Sequence, residues 1–268
     1  MVSPLTHAPD PFASRALTLY RAYWQASLAD PARRAEAEAR LLTALAALLD
    51  RPSLAAMDEA ETLLEARLAQ GGFHALEGKT GQLRELMLWT KQTESTERVA
   101  LPEETNATRV VYLDDFVSQG WSNYFTCERS GTGGWTKPDG LFVIVPSYDS
   151  LTDENFRVNF LAHESQHYAD HRRFPDLKPW ELEYRAKLVE VAYAVQTRGR
   201  VLSGFANNQG DDPADAHSYA NKRVLAALRS RLGLAPDADL STAPPAALQA
   251  AAIAELKADS ARRAAPRA

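Results

Sequence analysis

The five residues His163-Glu164-Ser165-Gln166-His167 spell H-E-x-x-H, a pattern whose residue types and spacing suit metal-assisted hydrolysis. Two histidines four positions apart on a helix lie one turn from each other, so both imidazoles can reach one Zn²⁺ at about 2.0–2.1 Å. The glutamate lies about 60° around the helix from the second histidine and flanks the ion without having to bind it. The pattern therefore predicts zinc ligands at His163 and His167 and a general base at Glu164.

The residues around the motif have to support this prediction, because the same pattern arises by chance in roughly one such chain in a hundred. The run from Thr152 to Phe156 begins like a helix, with Thr152 or Asp153 as N-cap and acid in the first turn. No proline follows before Pro175. Phe156 and Phe160 share the stripe of the two histidines, and the far side is also apolar, which predicts a buried helix. Two hydrogen-bonded core histidines are the structural alternative, but they leave the adjacent glutamate unexplained.

A catalytic zinc site needs a third protein ligand and an open position for water. His171 lies two turns beyond His163, about 12 Å along the axis, so it cannot reach the same ion from a straight helix. The metzincin extension of the motif requires Gly at position 170 and His at position 173, where this chain has Asp170 and Arg173. That extension is therefore excluded, and the third ligand must come from another segment.

The segment from Pro179 to Glu190 begins with proline in a favoured first helical position and has helical periodicity. Glu183 and Glu190 lie at the edge of its apolar side, where a carboxylate must be paired or metal-bound to offset its desolvation. Either glutamate could supply the third ligand. We favour Glu183, because the small Ala186 three residues later lets two helices approach closely.

With these two helices the chain resembles the gluzincins, zinc peptidases with H-E-x-x-H on one helix and a glutamate ligand on a later one. The resemblance covers roughly residues 140 to 230. It implies that His163, His167 and Glu183 are ligands and that Glu164 is the base. It also implies an α+β fold with a zincin-like catalytic core, in which a small antiparallel or mixed sheet precedes the active-site helices.

The segment from His217 to Val224 lies downstream, where such enzymes often hold a group that stabilises the transition state. In the positions of His217 and Arg223 it resembles the H-P-P-x-x-x-R-I stretch of the membrane-linked prenyl-protein proteases, although it lacks the prolines. His217 or Tyr219 could donate a hydrogen bond to the developing oxyanion, which would lower the barrier by about 3–4 kcal/mol. A solvated His217 at a helix N-terminus is the alternative.

Runs of β-branched and aromatic residues follow Thr108 and predict three strands. They are Arg109 to Leu113, Trp121 to Cys127 and Gly140 to Val145. The glycine-rich stretch from Ser130 to Gly134 predicts a hairpin turn between the second and third strands. By the same resemblance, Leu141 to Val145 is expected to be an edge strand that pairs with an extended substrate. Trp121 and Trp135 are expected to pack in the core, with a place in the wall of the cleft as the alternative.

The remainder of the chain predicts a helical N-terminal region at 1–104, the core at 105–233 and an Ala/Pro-rich tail at 234–268. Alanine- and leucine-rich periodicity over 12–70 predicts two or three helices, broken at Pro31 and Pro52. Tyr20, Tyr23 and Trp24 are expected to pack among them. Gly71-Gly72 ends the last of them, and residues 82–91 predict another. In the tail we expect a short helix over about 246–259 and a mobile remainder.

The composition is that of a soluble globular protein, with 45% hydrophobic and 24% charged residues in a chain of 268. A net charge of −5 without a basic stripe disfavours nucleic-acid binding. The first seven residues lack the features of a signal peptide and no run of 18 apolar residues occurs, which predicts a cytoplasmic protein without a membrane partner. A single cysteine, Cys127, excludes a cysteine-rich zinc site. We expect Cys127 to be a buried small residue, with a nucleophile as the alternative.

Together these patterns predict a zinc metallopeptidase that hydrolyses a peptide or protein substrate with a zinc-bound water activated by Glu164. The alternative is a catalytically degenerate, metal-stabilised binding or regulatory module on a zincin scaffold. A di-iron carboxylate bundle would need a second Glu-x-x-His motif on a facing helix in addition to the one from Glu164 to His167, and the sequence has no second one.

Overall fold

The computed structural model describes residues 8–129 and 131–265. The chain divides into two compact units. Unit 1 consists of Met1–Thr93 and Tyr112–Thr132, and unit 2 consists of Glu94–Val111 and Gly133–Ala268. The two units are interleaved along the sequence, so each is built from two separate stretches of chain.

The long helices of unit 1 are α1 (Pro11–Ala29), α2 (Arg34–Leu48) and α3 (Met57–Gln70). The carboxylate of Asp10 begins α1 by accepting hydrogen bonds from two backbone N–H groups of its first turn. The helices are interrupted at the predicted prolines, and α3 ends at Gly71 as predicted. Tyr20, Tyr23 and Trp24 lie in the buried core, which confirms their predicted packing role.

The described residues form one mixed five-stranded sheet with the order β1-β2-β3-β5-β4. The strands are β1 (His74–Thr80), β2 (Leu83–Ala100), β3 (Thr105–Ser118), β4 (Gly134–Lys137) and β5 (Gly140–Ile144). β1 pairs antiparallel with β2, and β4 pairs antiparallel with β5. The predicted strands at 109–113 and 140–145 are confirmed as parts of β3 and β5. The protein thus has the predicted mixture of helices and strands with a helical N-terminal region.

Two secondary-structure predictions are wrong because these segments contact other elements of the fold. Residues 82–91 belong mostly to β2 and not to a helix, because β1 pairs with them and overrides the helical propensity of their leucines. Residues 121–127 contain the short helix α4 (Trp121–Phe125) and not a strand. The carboxylate of Glu85, on β2, accepts hydrogen bonds from the N–H groups of Trp121 and Ser122 and stabilises the start of α4.

Trp121 is completely buried in the core of unit 1, which confirms its expected packing role. Two smaller corrections concern residues 120–140. Cys127, expected to be buried, is exposed. The hairpin turn lies between Lys137 and Gly140, where β4 meets β5, and not in the glycine-rich stretch, whose Gly134 already belongs to β4. Ser130, the first residue of that stretch, lies outside the described residues.

Unit 2 is mostly helical after β5. Its helices are α5 (Glu154–Phe156), a π-helix (Arg157–Ala162), α6 (His163–Arg173), α7 (Pro179–Tyr193), α8 (Arg198–Asn207), α9 (Ala216–Leu232) and α10 (Pro245–Ala264). α7 packs against α6, α9 and α10 and is the central helix of this group. α10 includes the helix predicted over 246–259, extends beyond it at both ends and buries Leu248, Ala252 and Leu256.

Among the described residues, no helix combines the length and the apolar character that crossing a bilayer requires. The seven N-terminal residues, on which the prediction about a signal peptide rests, lie outside the described part of the chain.

Candidate metal centre

The predicted helix around the motif forms, but the six residues directly before the motif are wound as a π-helix. Asp153 precedes its first residue, the π-helix Arg157–Ala162 follows α5, and α6 begins at His163 itself. A π-helix bonds residue i to i+5, so a wheel of 3.6 residues per turn does not apply before the motif. Such segments are frequent at functional sites. Phe156 and Phe160 are nevertheless buried, as the sequence predicts.

Three side chains bring their ligand atoms together at the start of α6 and on α7. Both histidines are buried, and their Nε2 atoms lie 3.0 Å apart. Glu183 places Oε1 3.4 Å from Nε2 of His167 and Oε2 3.7 Å from Nε2 of His163. Among the described residues, His163, His167 and Glu183 form a group whose ligand atoms all lie within 4.8 Å of one another. The structure thus brings together the three predicted ligands.

The spacing of these atoms fits a zinc ion. Bond lengths near 2.0–2.1 Å in a tetrahedral arrangement put neighbouring ligand atoms about 3.3 Å apart. Here the two Nε2 atoms lie 3.0 Å apart, and the two oxygens of Glu183 lie 3.4 Å from His167 and 3.7 Å from His163. Oε2 of Glu183 is buried and has no well-aligned hydrogen-bond partner among the described residues. A buried carboxylate oxygen needs nearby positive charge, which charged side chains or a metal ion can supply. Three protein donors also leave one tetrahedral position open.

The other candidate glutamate, Glu190, also lies at the site but on the far side of a ligand. Its Oε1 is 2.6 Å from Nδ1 of His163, the ring nitrogen opposite to the one in the cluster. Burial lowers the pKa of His163, but the charge and hydrogen bond of Glu190 outweigh it, and the pKa is raised. Carboxylates in this position fix the tautomer and orientation of a ligating imidazole. The sequence showed Glu190 on the same face as Glu183, seven residues later, but not which ring nitrogen it contacts.

Positive and polar groups surround Glu183. Nδ1 of His217 lies 2.9 Å from Oε2, and Nζ of the buried Lys187 lies 3.5 Å from the same oxygen. Burial alone would raise the pKa of Glu183, but contacts with His167 and His217 and the nearby charge of His163 hold it well below its usual range. Glu183 is therefore ionised, as a metal ligand must be.

Glu164 is half-buried and points toward β4. The hydroxyl of Thr136, on β4, donates a hydrogen bond to Oε2 of Glu164. Burial and the nearby charge of Glu164 both raise the pKa of the Tyr148 hydroxyl. The predicted base is thus adjacent to the ligands in sequence and is held by a strand at the same site.

β4 is one of the two edge strands of the sheet, and β1 is the other. β5, which contains the predicted edge strand, lies between β3 and β4 in the sheet, so that prediction is wrong. The short β4 was not predicted, because its four residues lack a run of strand-forming side chains. Trp135 on β4 stacks on Phe142 of β5 with ring centroids 5.6 Å apart, and it belongs to this edge hairpin.

The remaining predicted residues lie at or near the start of α9 and the end of α6. His217 is largely exposed and contacts Glu183 as described above. The hydroxyl of Tyr219 accepts a hydrogen bond from Arg223, and its ring packs against Trp180. His171 is exposed in the last turn of α6, as expected for a residue outside the ligand set.

Comparison with known proteins gives no relative: no family matches the chain, and neither the curated proteins nor the solved structures contain a match.

Proposed function

We propose that this protein is a zinc-dependent metallopeptidase of the kind that the gluzincins represent. The observation that carries the proposal is the group of three ligand atoms from His163, His167 and Glu183, which lie within 4.8 Å of one another and can therefore bind one ion. Three donors with an open fourth position are typical of catalytic zinc, whereas structural zinc is held by four. Glu164 lies beside this group, where a general base is needed.

A zinc ion bound there would polarise a carbonyl and lower the pKa of a water molecule toward neutrality. The carboxylate of Glu164 accepts the proton of that water and returns it to the leaving amine. The hydroxyl of Thr136 holds Oε2 of Glu164, which leaves Oε1 as the oxygen that moves the proton. Glu190 keeps His163 oriented, with Nε2 directed toward Glu183.

A peptide substrate is supported by the position of β4. An edge strand presents unpaired backbone N–H and C=O groups, to which an extended chain can add as a further strand. Thr136 lies within β4 and contacts Glu164, so a peptide paired with β4 would pass beside the base. Main-chain pairing of this kind orients a peptide whatever its side chains are.

His217 is the proposed stabiliser of the developing oxyanion. Its ring is 65% exposed and yet lies 2.9 Å from Glu183, so it is at the metal centre and open to a substrate. Tyr219 is less suited to this role, because Arg223 and Trp180 already engage its side chain.

The proposal is tested with Glu164→Gln, which keeps the shape of the side chain and removes its basicity. We expect the purified wild-type protein to contain about one zinc per chain and to cleave a denatured-protein library, with inhibition by chelators. The variant should keep its zinc and lose at least about 100-fold of the activity, as expected when a general base is removed.

Elemental analysis and mass spectrometry of the products measure both quantities. A Glu164→Gln protein as active as the wild type would refute the proposal. A wild-type protein that binds zinc and cleaves nothing would favour the catalytically degenerate binding module.

A further inference from the structure

The two residues between Glu164 and His167 are buried and tie α6 to its surroundings. The backbone carbonyl of Ser165 accepts a hydrogen bond of 3.0 Å from Nδ2 of Asn106, and its hydroxyl lies 3.5 Å from that of Thr108. Asn106 and Thr108 are both buried on β3. These contacts hold one side of α6 against the sheet.

On its other side, α6 is linked to α7 by hydrogen bonds of the Asp170 carboxylate. Nε2 of Gln166 donates to Oδ1 of Asp170 at 2.9 Å, and Oδ2 of Asp170 accepts a hydrogen bond of 2.9 Å from Nε of Arg185. Asp170 is three residues after His167, and Arg185 is two residues after Glu183. One ion pair therefore joins the helix of the two histidines to the helix of the glutamate, within about a turn of a ligand on each.

Arg185 is completely buried, and its guanidinium is divided among several acids. Nη1 donates to Asp259 of α10 at 2.8 Å, and Nη2 donates to Ser260 at 3.0 Å and approaches Glu103 at 3.4 Å. Buried ion pairs add little net stability, because desolvation offsets their attraction. Their best-attested use is to fix the register of packed elements.

We propose that the Asp170–Arg185 pair is a positioning device that sets α6 against α7, so that the histidine Nε2 atoms meet Glu183 at ligand spacing. The proposal rests on the metal centre of the proposed function. If α6 rotated about its axis or shifted along α7, the histidine Nε2 atoms would move away from the carboxylate of Glu183, which now lies 3.7 Å from His163 and 3.4 Å from His167. Arg185 donates to Asp170 through Nε, the nitrogen fixed nearest the helix backbone, so the pair allows little displacement.

The chain offers a matched control on the same guanidinium. Asp170→Asn and Asp259→Asn each remove one charged partner of Arg185, both partners are buried, and both substitutions conserve shape. Only Asp170 lies on the helix of the histidines; Asp259 lies on α10. Both variants should lose stability, whereas only Asp170→Asn should disturb the metal centre.

The measurements are zinc affinity, by competition with a chromophoric chelator, and the visible absorption of the cobalt-substituted protein, which reports coordination geometry. We expect Asp170→Asn to raise the zinc Kd at least about tenfold, in the range seen for outer-shell changes, and to alter the cobalt bands. For Asp259→Asn the Kd should stay within about twofold of the wild type, with unaltered bands. If Asp170→Asn does not fold, Asp170→Glu, which moves the carboxylate by one methylene, should give the same rise in Kd.

If Asp170→Asn and Asp259→Asn had the same zinc Kd, the positioning role would be overturned and the proposed function would remain. This holds whether that shared Kd equals or exceeds the wild-type value. A wild-type protein that binds zinc without peptidase activity would overturn the proposed function alone, because the positioning role is judged from the Kd. A wild-type protein that binds no zinc would overturn both.

Discussion

Each unit of this protein takes glutamate side chains out of water, and the two units compensate for the cost in opposite ways. In unit 1, Glu77 of β1 is influenced mainly by its own burial and by the negative charges of Glu65 and Glu61, and its pKa rises to about 8. In unit 2, Glu183 is buried to a similar extent, but imidazoles and an ammonium group surround it and its pKa falls. Glu77 therefore keeps a proton at neutral pH, and Glu183 does not.

The comparison shows that burial alone does not make a carboxylate a ligand. Oε1 of Glu77 and the hydroxyl of Tyr20 are both buried without a hydrogen-bond partner among the described residues, and no histidine influences Glu77. A protonated carboxyl without nitrogen donors beside it is poorly suited to zinc. Unit 2 differs because side chains from α6, α7 and α9 all contact Glu183 and favour its ionised form.

The largest expected effect is on metal binding, and it contrasts the same substitution in the two units. Glu183→Gln should remove a ligand and raise the zinc Kd by more than about 100-fold, beyond what changes outside the ligand set cost. Glu77→Gln should leave the zinc Kd unchanged. Chelator competition measures both, and a Glu183→Gln protein that retains wild-type affinity would show that the two carboxylates do not differ in this way.

The second expected effect is on stability and depends on pH. Because the pKa of Glu77 is raised by folding, from 4.5 to about 8, the stability of the folded protein falls as pH rises between these values. The Glu77→Gln side chain cannot ionise, so the variant does not lose this stability as pH rises. We expect the variant to match the wild type near pH 4 and to be more stable above pH 8 by on the order of 3 kcal/mol.

Urea unfolding followed by circular dichroism at several pH values tests this expectation. Glu59→Gln is a suitable control, because Glu59 lies on α3 close to Glu61 in sequence but is exposed. A difference between Glu77→Gln and the wild type that is the same at pH 4 and pH 9 would contradict the ionisation argument.

The smallest effect is expected at Glu190, which approaches the metal centre only through His163. Glu190→Gln keeps an oxygen that can accept from Nδ1 but removes the charge. Because such partners act on ligand orientation and basicity, zinc affinity should fall by about 10- to 100-fold, less than for Glu183→Gln. If both variants lost zinc equally, it would be wrong to assign Glu183 as a ligand and Glu190 as the residue that orients His163.

The parts of this protein that the sequence predicts are those set by nearby residues. Helices α1 to α3 and α7 follow from periodicity and proline positions, and H-E-x-x-H places two histidines one turn apart wherever the helix forms. What it does not predict depends on contacts between elements, which are distant in the chain for Glu85 and α4 and adjacent in the chain for β1 and β2. Residues 121–125 become helical because Glu85 caps them, and the start of β2 is a strand because β1 pairs with it. The roles of Glu183 and Glu190 likewise depend on how α7 faces the rings of α6.

The two long strands β2 and β3 have a consequence for how the protein can be made and divided. Each contributes its residues partly to unit 1 and partly to unit 2, since the boundaries fall at Thr93 and Val111. Cutting the gene at one position therefore cannot separate the two units intact. During synthesis, all residues of unit 1 are present only after residue 132 has been added. Within unit 2, residues 94–111 are synthesised first, and the unit can complete its folding only after more than a hundred later residues have been added. The segment that bears Asn106 is therefore synthesised before every other part of unit 2, including Ser165, whose carbonyl it contacts in the folded protein.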